Sequence, residues 1–268
     1  MDAAPPYDWT KGLPRLESEL VAVREVTTDD APALHELLCD PRVTPDIGPL
    51  PPTVEAFEGF AAWARRERVR GSSFCFGIVP HGLDQAVGII QVRALGPTFF
   101  VSEWGFALGA AFWATGVFHG AATLVAAFTF KTVHAHRLEA RAVATNGRGS
   151  GALQKLGARA EAVLTKAFRR PEGYDEQLLW TLISTQWPCA SQERVGIAEA
   201  RQRVRLAIAA VHLPQPVPQP AVAPAAPHTP TGLYPFFITQ APLTPYCGAC
   251  GTRIEDSTCP HCSTQSGS

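Results

Sequence analysis

Hydrophobic positions recur with two periods along residues 19–187. Residues 20–26 (LVAVREV), rich in β-branched valines, read as a strand. Thr28 stands where a helix cap is wanted, and Asp29, Asp30 and Pro32 suit a first turn. Leu34, Leu37 and Leu38 then share one helical face. A second helix begins after Thr53, with Phe57, Phe60, Ala61 and Ala64 at i, i+3, i+4 and i+7. Its basic end, 65–70, suits the negative end of a helix dipole. Two or three strands come next: 74–79 and 86–94 flank the turn-like His81-Gly82-Leu83-Asp84, and 99–108 follows Gly96-Pro97. Residues 116–133 read as a long helix with Val117, Phe118, Ala121, Leu124, Val125 and Phe128 on one face. A strand at 137–143, a short helix at 149–156 and strands at 158–169 and 177–183 follow, the last two joined by Pro171-Glu172-Gly173. This order predicts an α+β fold in which helices flank one mixed central sheet.

Beyond residue 188 the pattern changes. Residues 191–212 predict a further helix, with Ile197, Val204, Ile208 and Val211 on one face and Arg194, Arg201, Arg203 and Arg205 elsewhere. That helix either packs on the main domain, lies exposed beside it, or pairs with a partner helix. Residues 213–245 hold 10 prolines and no Asp, Glu, Lys or Arg. Such a stretch cannot build a core and is expected to run as an extended, polyproline-like linker. Within it, Tyr234, Phe236, Phe237 and Ile238 form an apolar cluster suited to docking on the domain or on a partner. Residues 246–264 end the chain's organised part with a cysteine-rich ribbon.

Composition narrows the function classes. The 268 residues are 46% hydrophobic and 18% charged, enough for a sizeable core. A formal net charge of −1 leaves no positive field for a nucleic-acid polyanion. The apolar run at 117–130 is short and interrupted by His119, Gly120 and Thr129, so no membrane span is expected. The first residues, MDAAPPYDWTKG, carry neither the basic nor the apolar region of a secretion signal, so a cytoplasmic location is expected. Only Lys11, Lys131, Lys155 and Lys166 are lysines among 23 basic residues, a bias that fits a GC-rich bacterial genome.

Two places carry candidate chemistry. Cys247-Gly-Ala-Cys250 and Cys259-Pro-His-Cys262 are two C-x-x-C knuckles. Four thiolates so spaced complete a closed, tetrahedral, structural zinc shell, and the metal would supply the folding energy of so short a segment. Two disulfides are the alternative, disfavoured in a reducing compartment. Arg253 is offset by Glu255 and Asp256, so the ribbon fits a protein partner better than nucleic acid. Cys39, Cys75 and Cys189 are scattered and read as ordinary thiols. The second place is the strand-to-helix junction Trp113-Ala114-Thr115-Gly116-Val117-Phe118. Helix-start N–H groups beside a glycine form a phosphate site, or simply a turn.

In order and at matching separations, four stretches make residues 19–187 resemble the GNAT acetyltransferases, and within them the RimJ/RimL-like N-acetyltransferase group. Ser102-Glu103-Trp104-Gly105-Phe106-Ala107-Leu108-Gly109 is similar to that family's fourth strand. Trp113-Ala114-Thr115-Gly116-Val117 is similar to its pyrophosphate loop, and His136-Arg137-Leu138-Glu139-Ala140 to its fifth strand. The run from Asn146 to Ala158 is similar to its asparagine helix and the Leu-Gly that ends it. Gly173-Tyr174-Asp175 before the last strand also fits.

The resemblance implies a GNAT-like mixed sheet and acetyl-CoA as donor to an amine. The acceptor it implies is a protein or peptide N-terminus, or else a small-molecule amine. Backbone around Trp113, Ala114, Thr115, Gly116, Val117 and Phe118 would hold the pyrophosphate, and Asn146 the pantetheine arm. The amine would attack the thioester directly. Glu103, on a face shared with Val101, Gly105 and Ala107, is the candidate base, or else a residue that orders the sheet. Phe118 departs from the family, standing where Gly or Ala is usual and expected to turn into the core. Leu153 replaces a frequent tyrosine acid and Gly149 a frequent serine, so Ser150 and Tyr174 are the replacement acids. His119, His134 and His136 are expected to be structural. Acceptor choice is expected in the loops 40–52 and 170–175. The rival reading is a GNAT-fold scaffold without catalysis that works through its zinc ribbon.

Overall fold

The computed structural model describes residues 7–187, 196–211 and 213–214. The proline-rich linker at 213–245 falls almost wholly outside them. The ribbon with Cys247, Cys250, Cys259 and Cys262, together with Cys189 and Arg194, lies outside them altogether. An eight-stranded sheet forms the centre, in the order β1-β2-β3-β4-β5-β6-β8-β7. Its strands are β1 (Leu16–Glu17), β2 (Val21–Glu25), β3 (Ser73–Pro80), β4 (Gly88–Ala94), β5 (Val101–Leu108), β6 (Arg137–Val143), β7 (Arg159–Arg170) and β8 (Gly173–Ile183). Only β5 and β6 pair in parallel; every other neighbouring pair is antiparallel.

Two layers of helix cover the sheet, and the sequence period decides which face each helix buries. Helices α1 (Ala31–Leu38) and α2 (Val54–Val69) bury Leu34, Leu38, Phe57, Phe60, Ala61 and Ala64 against Cys75, Val79, Ile89 and Ala107. Thr53 caps α2 by accepting from the Ala56 N–H. On the opposite face, α3 (Val117–Lys131), α4 (Gly147–Lys155) and α5 (Ile197–Ala210) join one core with Phe74, Phe76, Trp104 and Leu138. Strand alternation sorts β5 accordingly: Trp104 and Leu108 belong to the α3 face, and Ala107 to the α1–α2 face. Burying side chains of this size, at roughly 1.5–3 kcal/mol each, stabilises both layers.

Each element expected within residues 19–187 is present, and the differences lie at ends and faces. Thr28 does not cap α1 but opens a short 3-10 turn whose N-cap is Thr27, and Asp30 stands at the α1 N-cap. Helix α4 starts two residues before the expected 149, because Asn146 caps it. Strand β8 starts at Gly173 rather than 177, extending the hairpin to its tip. The described part of the predicted helix at 191–212 is α5. It buries Ala200, Val204 and Ala207, while Ile197 and Ile208 sit at the margin. The small alanines allow close approach to the loop before α3, where a Cβ added to Gly116 would stand 3.9 Å from Ala200 Cβ. So α5 packs on the domain, the first of the three placements open from sequence. Strand β1 and the packing of Trp9 on Phe74 and Phe99, with ring centroids 5.4 and 5.2 Å apart, were not legible from local pattern. Among the described residues no helix is long and apolar enough to cross a membrane.

Candidate active site

The site begins where two strands part. The β5–β6 ladder joins only Val101 to Arg137, Ser102 to Leu138 and Glu103 to Glu139. Strand β5 nevertheless continues to Leu108 and β6 to Val143, each still paired on its outer edge with β4 and β8. Beyond Glu103 and Glu139 the inner edges face an opening in the middle of the sheet. Backbone hydrogen-bonding groups on such an edge want partners, which an extended, amide-containing ligand would be able to supply.

At the C-terminal end of β5 the chain turns into α3. Ala114 at φ +58° and Gly116 at φ +92° place two left-handed residues within three positions. Glycine adopts that conformation without cost, whereas alanine does not. The turn is braced: the Thr115 hydroxyl donates to the Phe112 carbonyl at 2.6 Å and accepts from the Val117 N–H at 3.3 Å. The Trp113 indole donates to the Leu108 carbonyl at 2.9 Å. The Gly120 N–H makes the first α3 bond, to Gly116, so Phe118 and His119 keep free N–H groups among the described residues. Positive dipole and free donors give this turn the properties an anion site needs.

A cavity of about 150 Å³ lies beside the turn. Trp113, Ala114, Phe118 and Asn146, all expected cofactor residues, line it together with Phe106, Arg42 and Arg148. Phe118 packs against the α3-face core, as its bulk suggested, and lines the cavity as well. It is half-buried on the cavity wall, 4.4 Å from the Phe106 ring, because the helix start turns it toward the opening. Asn146 Oδ1 accepts from the Gly149 N–H at 2.7 Å. Gly149 makes this possible, since a Cβ there would meet Asn146 Nδ2 at 2.9 Å. Replacement of the family's serine by glycine thus accompanies a folded-back asparagine. Leu153, in the family's tyrosine position, is wholly buried in the core. Arg42 and Arg148 were missed from sequence. The signal was present: a loop meant for an anion that carries no Lys or Arg of its own needs one from elsewhere.

The structure does not gather the three catalytic candidates at that cavity. Glu103 is 1% exposed, on the α1–α2 face of β5. It accepts from Arg93 at 2.5 and 3.0 Å, and Arg141 from β6 stands 3.3 Å away across the opening. Burial pushes its pKa up, and Arg93 and Arg141 pull it back only in part. The small neighbours foreseen beside it are present, but two guanidinium groups fill the space expected for substrate. The Ser150 hydroxyl is buried without a partner among the described residues, in the first turns of α4. Tyr174 is 60% exposed at the β7–β8 tip. That tip reaches the loop after α1 through Arg170, which bonds Asp175 at 2.7 Å and the Pro45 carbonyl, with Asp46 at 3.8 Å. The two segments expected to choose the acceptor therefore meet. His134 sits in a left-handed turn and His136 stacks on Phe100 at 5.0 Å, as structural residues do.

Comparison with known proteins places this geometry. Residues 21–159 match the family model described as an acetyltransferase (GNAT) domain. Among solved structures, RimJ of Mycobacterium smegmatis in complex with CoA-disulfide aligns over 75% of this chain and 96% of its own, with 20% identity and a TM-score of 0.59. The ribosomal-protein-S5-alanine acetyltransferase of Vibrio fischeri aligns over 65% and 98%, with 18% identity and a TM-score of 0.59. RimL, a ribosomal L7/L12 α-N-protein acetyltransferase in complex with coenzyme A, aligns over 63% and 98%, with 14% identity and a TM-score of 0.57. No curated protein matches the chain.

Proposed function

The chain belongs to the GNAT acetyltransferase family, and from that premise we propose that it transfers acetyl from acetyl-CoA to the N-terminal amine of a protein or peptide. The parting of β5 from β6 directly beside the start of α3 carries this reading. It offers an extended ligand both a strand edge and an anion site. The turn Trp113 to Phe118 would take the phosphate end. Asn146 keeps its Nδ2 for the pantetheine amides while its Oδ1 caps α4. The thioester supplies an activated acyl carbon, and the chain's contribution is chiefly to hold amine and thioester in line, which alone contributes much of such a rate. That acceptor class is supported by the solved neighbours of the same fold, a ribosomal-protein-S5-alanine acetyltransferase and a ribosomal L7/L12 α-N-protein acetyltransferase.

Within this reading Glu103 is an anchor rather than the proton acceptor. Its two arginines neutralise it, and Arg141 ties it to the far strand of the opening. Ser150 and Tyr174 stay the proposed hydroxyl donors to the leaving thiolate, although neither lines the cavity: Ser150 Oγ is buried in α4 and Tyr174 sits at the hairpin tip. Titration calorimetry with acetyl-CoA tests the whole reading. Micromolar binding is expected, followed by thiol release when peptides with free N-termini are added; no binding to folded protein would sink it.

The tail is read as a zinc ribbon. The four cysteines lie outside the described residues, and among the described ones no cluster of His, Cys, Asp or Glu is placed to hold a metal. The donor set itself fits zinc: four thiolates in two knuckles and no open position. Metal analysis is expected to give one zinc per chain. Cys247→Ser should lose it while leaving acetyl-CoA affinity unchanged.

A further inference from the structure

The turn before α3 has no Lys or Arg from Trp113 to Gly120. Its free N–H groups and dipole offer only partial charges, whereas coenzyme A carries several full negative charges on its phosphates. The fold brings a full positive charge to this turn from a different element. Arg148, in the first turn of α4, holds its guanidinium carbon 3.6 Å from the centroid of the Trp113 ring. Both residues line the cavity that also includes Ala114 and Phe118. The position follows from the sequence: Asn146 caps α4 and so fixes where the helix starts, and Arg148 is the second residue of that helix.

The pairing has the properties of a receptor for oxyanions. A guanidinium over an indole face is held by cation–π attraction, so less side-chain freedom remains to be lost on binding. Its N–H donors point outward from the guanidinium centre in a fork that matches phosphate oxygens. Arg148 makes no hydrogen bond or ion pair among the described residues. Arg42, the other arginine on the cavity, is held by Asp40 at 2.6 Å, and Arg170 by Asp175 at 2.7 Å. Arg148 alone of these three has its donors unclaimed.

We propose that Arg148, seated on Trp113, is the cation that binds the phosphoryl groups of coenzyme A, supplying from α4 the charge that the turn lacks. This rests on the acetyl-CoA reading above. The test is calorimetric titration of the full chain, as wild type, Arg148→Ala and Arg148→Lys, with coenzyme A, 3′-dephospho-coenzyme A and pantetheine. Arg148 is exposed, so the variants are expected to fold, and a melting curve checks this. Arg148→Ala should bind coenzyme A roughly 10-fold more weakly, the loss of a charge-assisted fork. Pantetheine, which has no phosphate, should bind it as it binds wild type. Arg148→Lys should recover only part, because an ammonium keeps the charge without the fork.

The middle ligand separates the two phosphate sources. A loss retained with the dephospho form assigns the diphosphate; a loss that vanishes assigns the 3′-phosphate. Unchanged coenzyme A affinity in Arg148→Ala would overturn the proposal. So would an equal loss for pantetheine, which would make Arg148 a prop for α4. Wild-type protein that binds no coenzyme A would instead remove the acetyl-CoA reading itself, a pattern visible before any variant is compared.

Discussion

Gly116→Asp is expected to weaken acetyl-CoA binding about 100-fold in calorimetric titration. At φ +92° a side chain is strained, at about 1–2 kcal/mol. The new Cβ would also stand 3.1 Å from Leu20 Cδ1 and 3.9 Å from Ala200 Cβ on α5. The carboxylate adds a second effect. It would sit at the helix start that the phosphates are proposed to use, and two like charges about 5 Å apart at an effective dielectric constant of about 20 repel by roughly 3 kcal/mol. The aspartate would at the same time interact favourably with the α3 dipole, so the helix itself should persist. Gly116→Ala separates the two effects, since it carries the strain without the charge. It should lower the melting temperature about as much as aspartate does while keeping most of the affinity. Equal affinity in wild type and Gly116→Asp would place the phosphates elsewhere.

The elements of this fold were legible because period and position agree. Leu34, Leu37 and Leu38, and Phe57, Phe60, Ala61 and Ala64, are all buried where a 3.6-residue period places them. Strand β6 has the expected bounds because polar and apolar residues alternate from Arg137 to Ala142. What alternation cannot convey is where a ladder stops. The sequence of β5 is the same kind of pattern on both sides of Glu103, yet pairing with β6 ends there. The opening that makes the site is thus a tertiary property. The same limit hides that Phe118 lines the cavity as well as packing on the core, since its direction depends on the two left-handed residues just before the helix. Arg148 was hidden differently. It belongs to the asparagine helix by sequence and to the anion turn by geometry, and only the stack on Trp113 joins the two.

Glu103 tests how far a family role transfers to a residue with different neighbours. Its side chain is 2% exposed, with Arg93 at 32% and Arg141 at 17%. Glu103→Ala would leave two guanidinium groups facing each other without the carboxylate. Removing one partner of a buried ion pair costs about 3 kcal/mol or more, so the melting temperature should fall by roughly 6–12 °C for a domain of this size. Glu103→Gln keeps shape and one acceptor oxygen and should cost less. It also carries a pH signature. Burial raises the pKa of Glu103, so the folded state binds its proton more tightly than the unfolded chain does. Stability from this group is therefore present below the unfolded value and falls as pH rises through the folded one. The glutamine variant should lack that decline. Turnover then decides the role. A general base contributes about 10²- to 10⁴-fold, so a loss of that size in Glu103→Gln, at unchanged acetyl-CoA affinity, would restore it as the proton acceptor. An anchor predicts less than about a 10-fold loss, because the strands stay bridged and positioning survives.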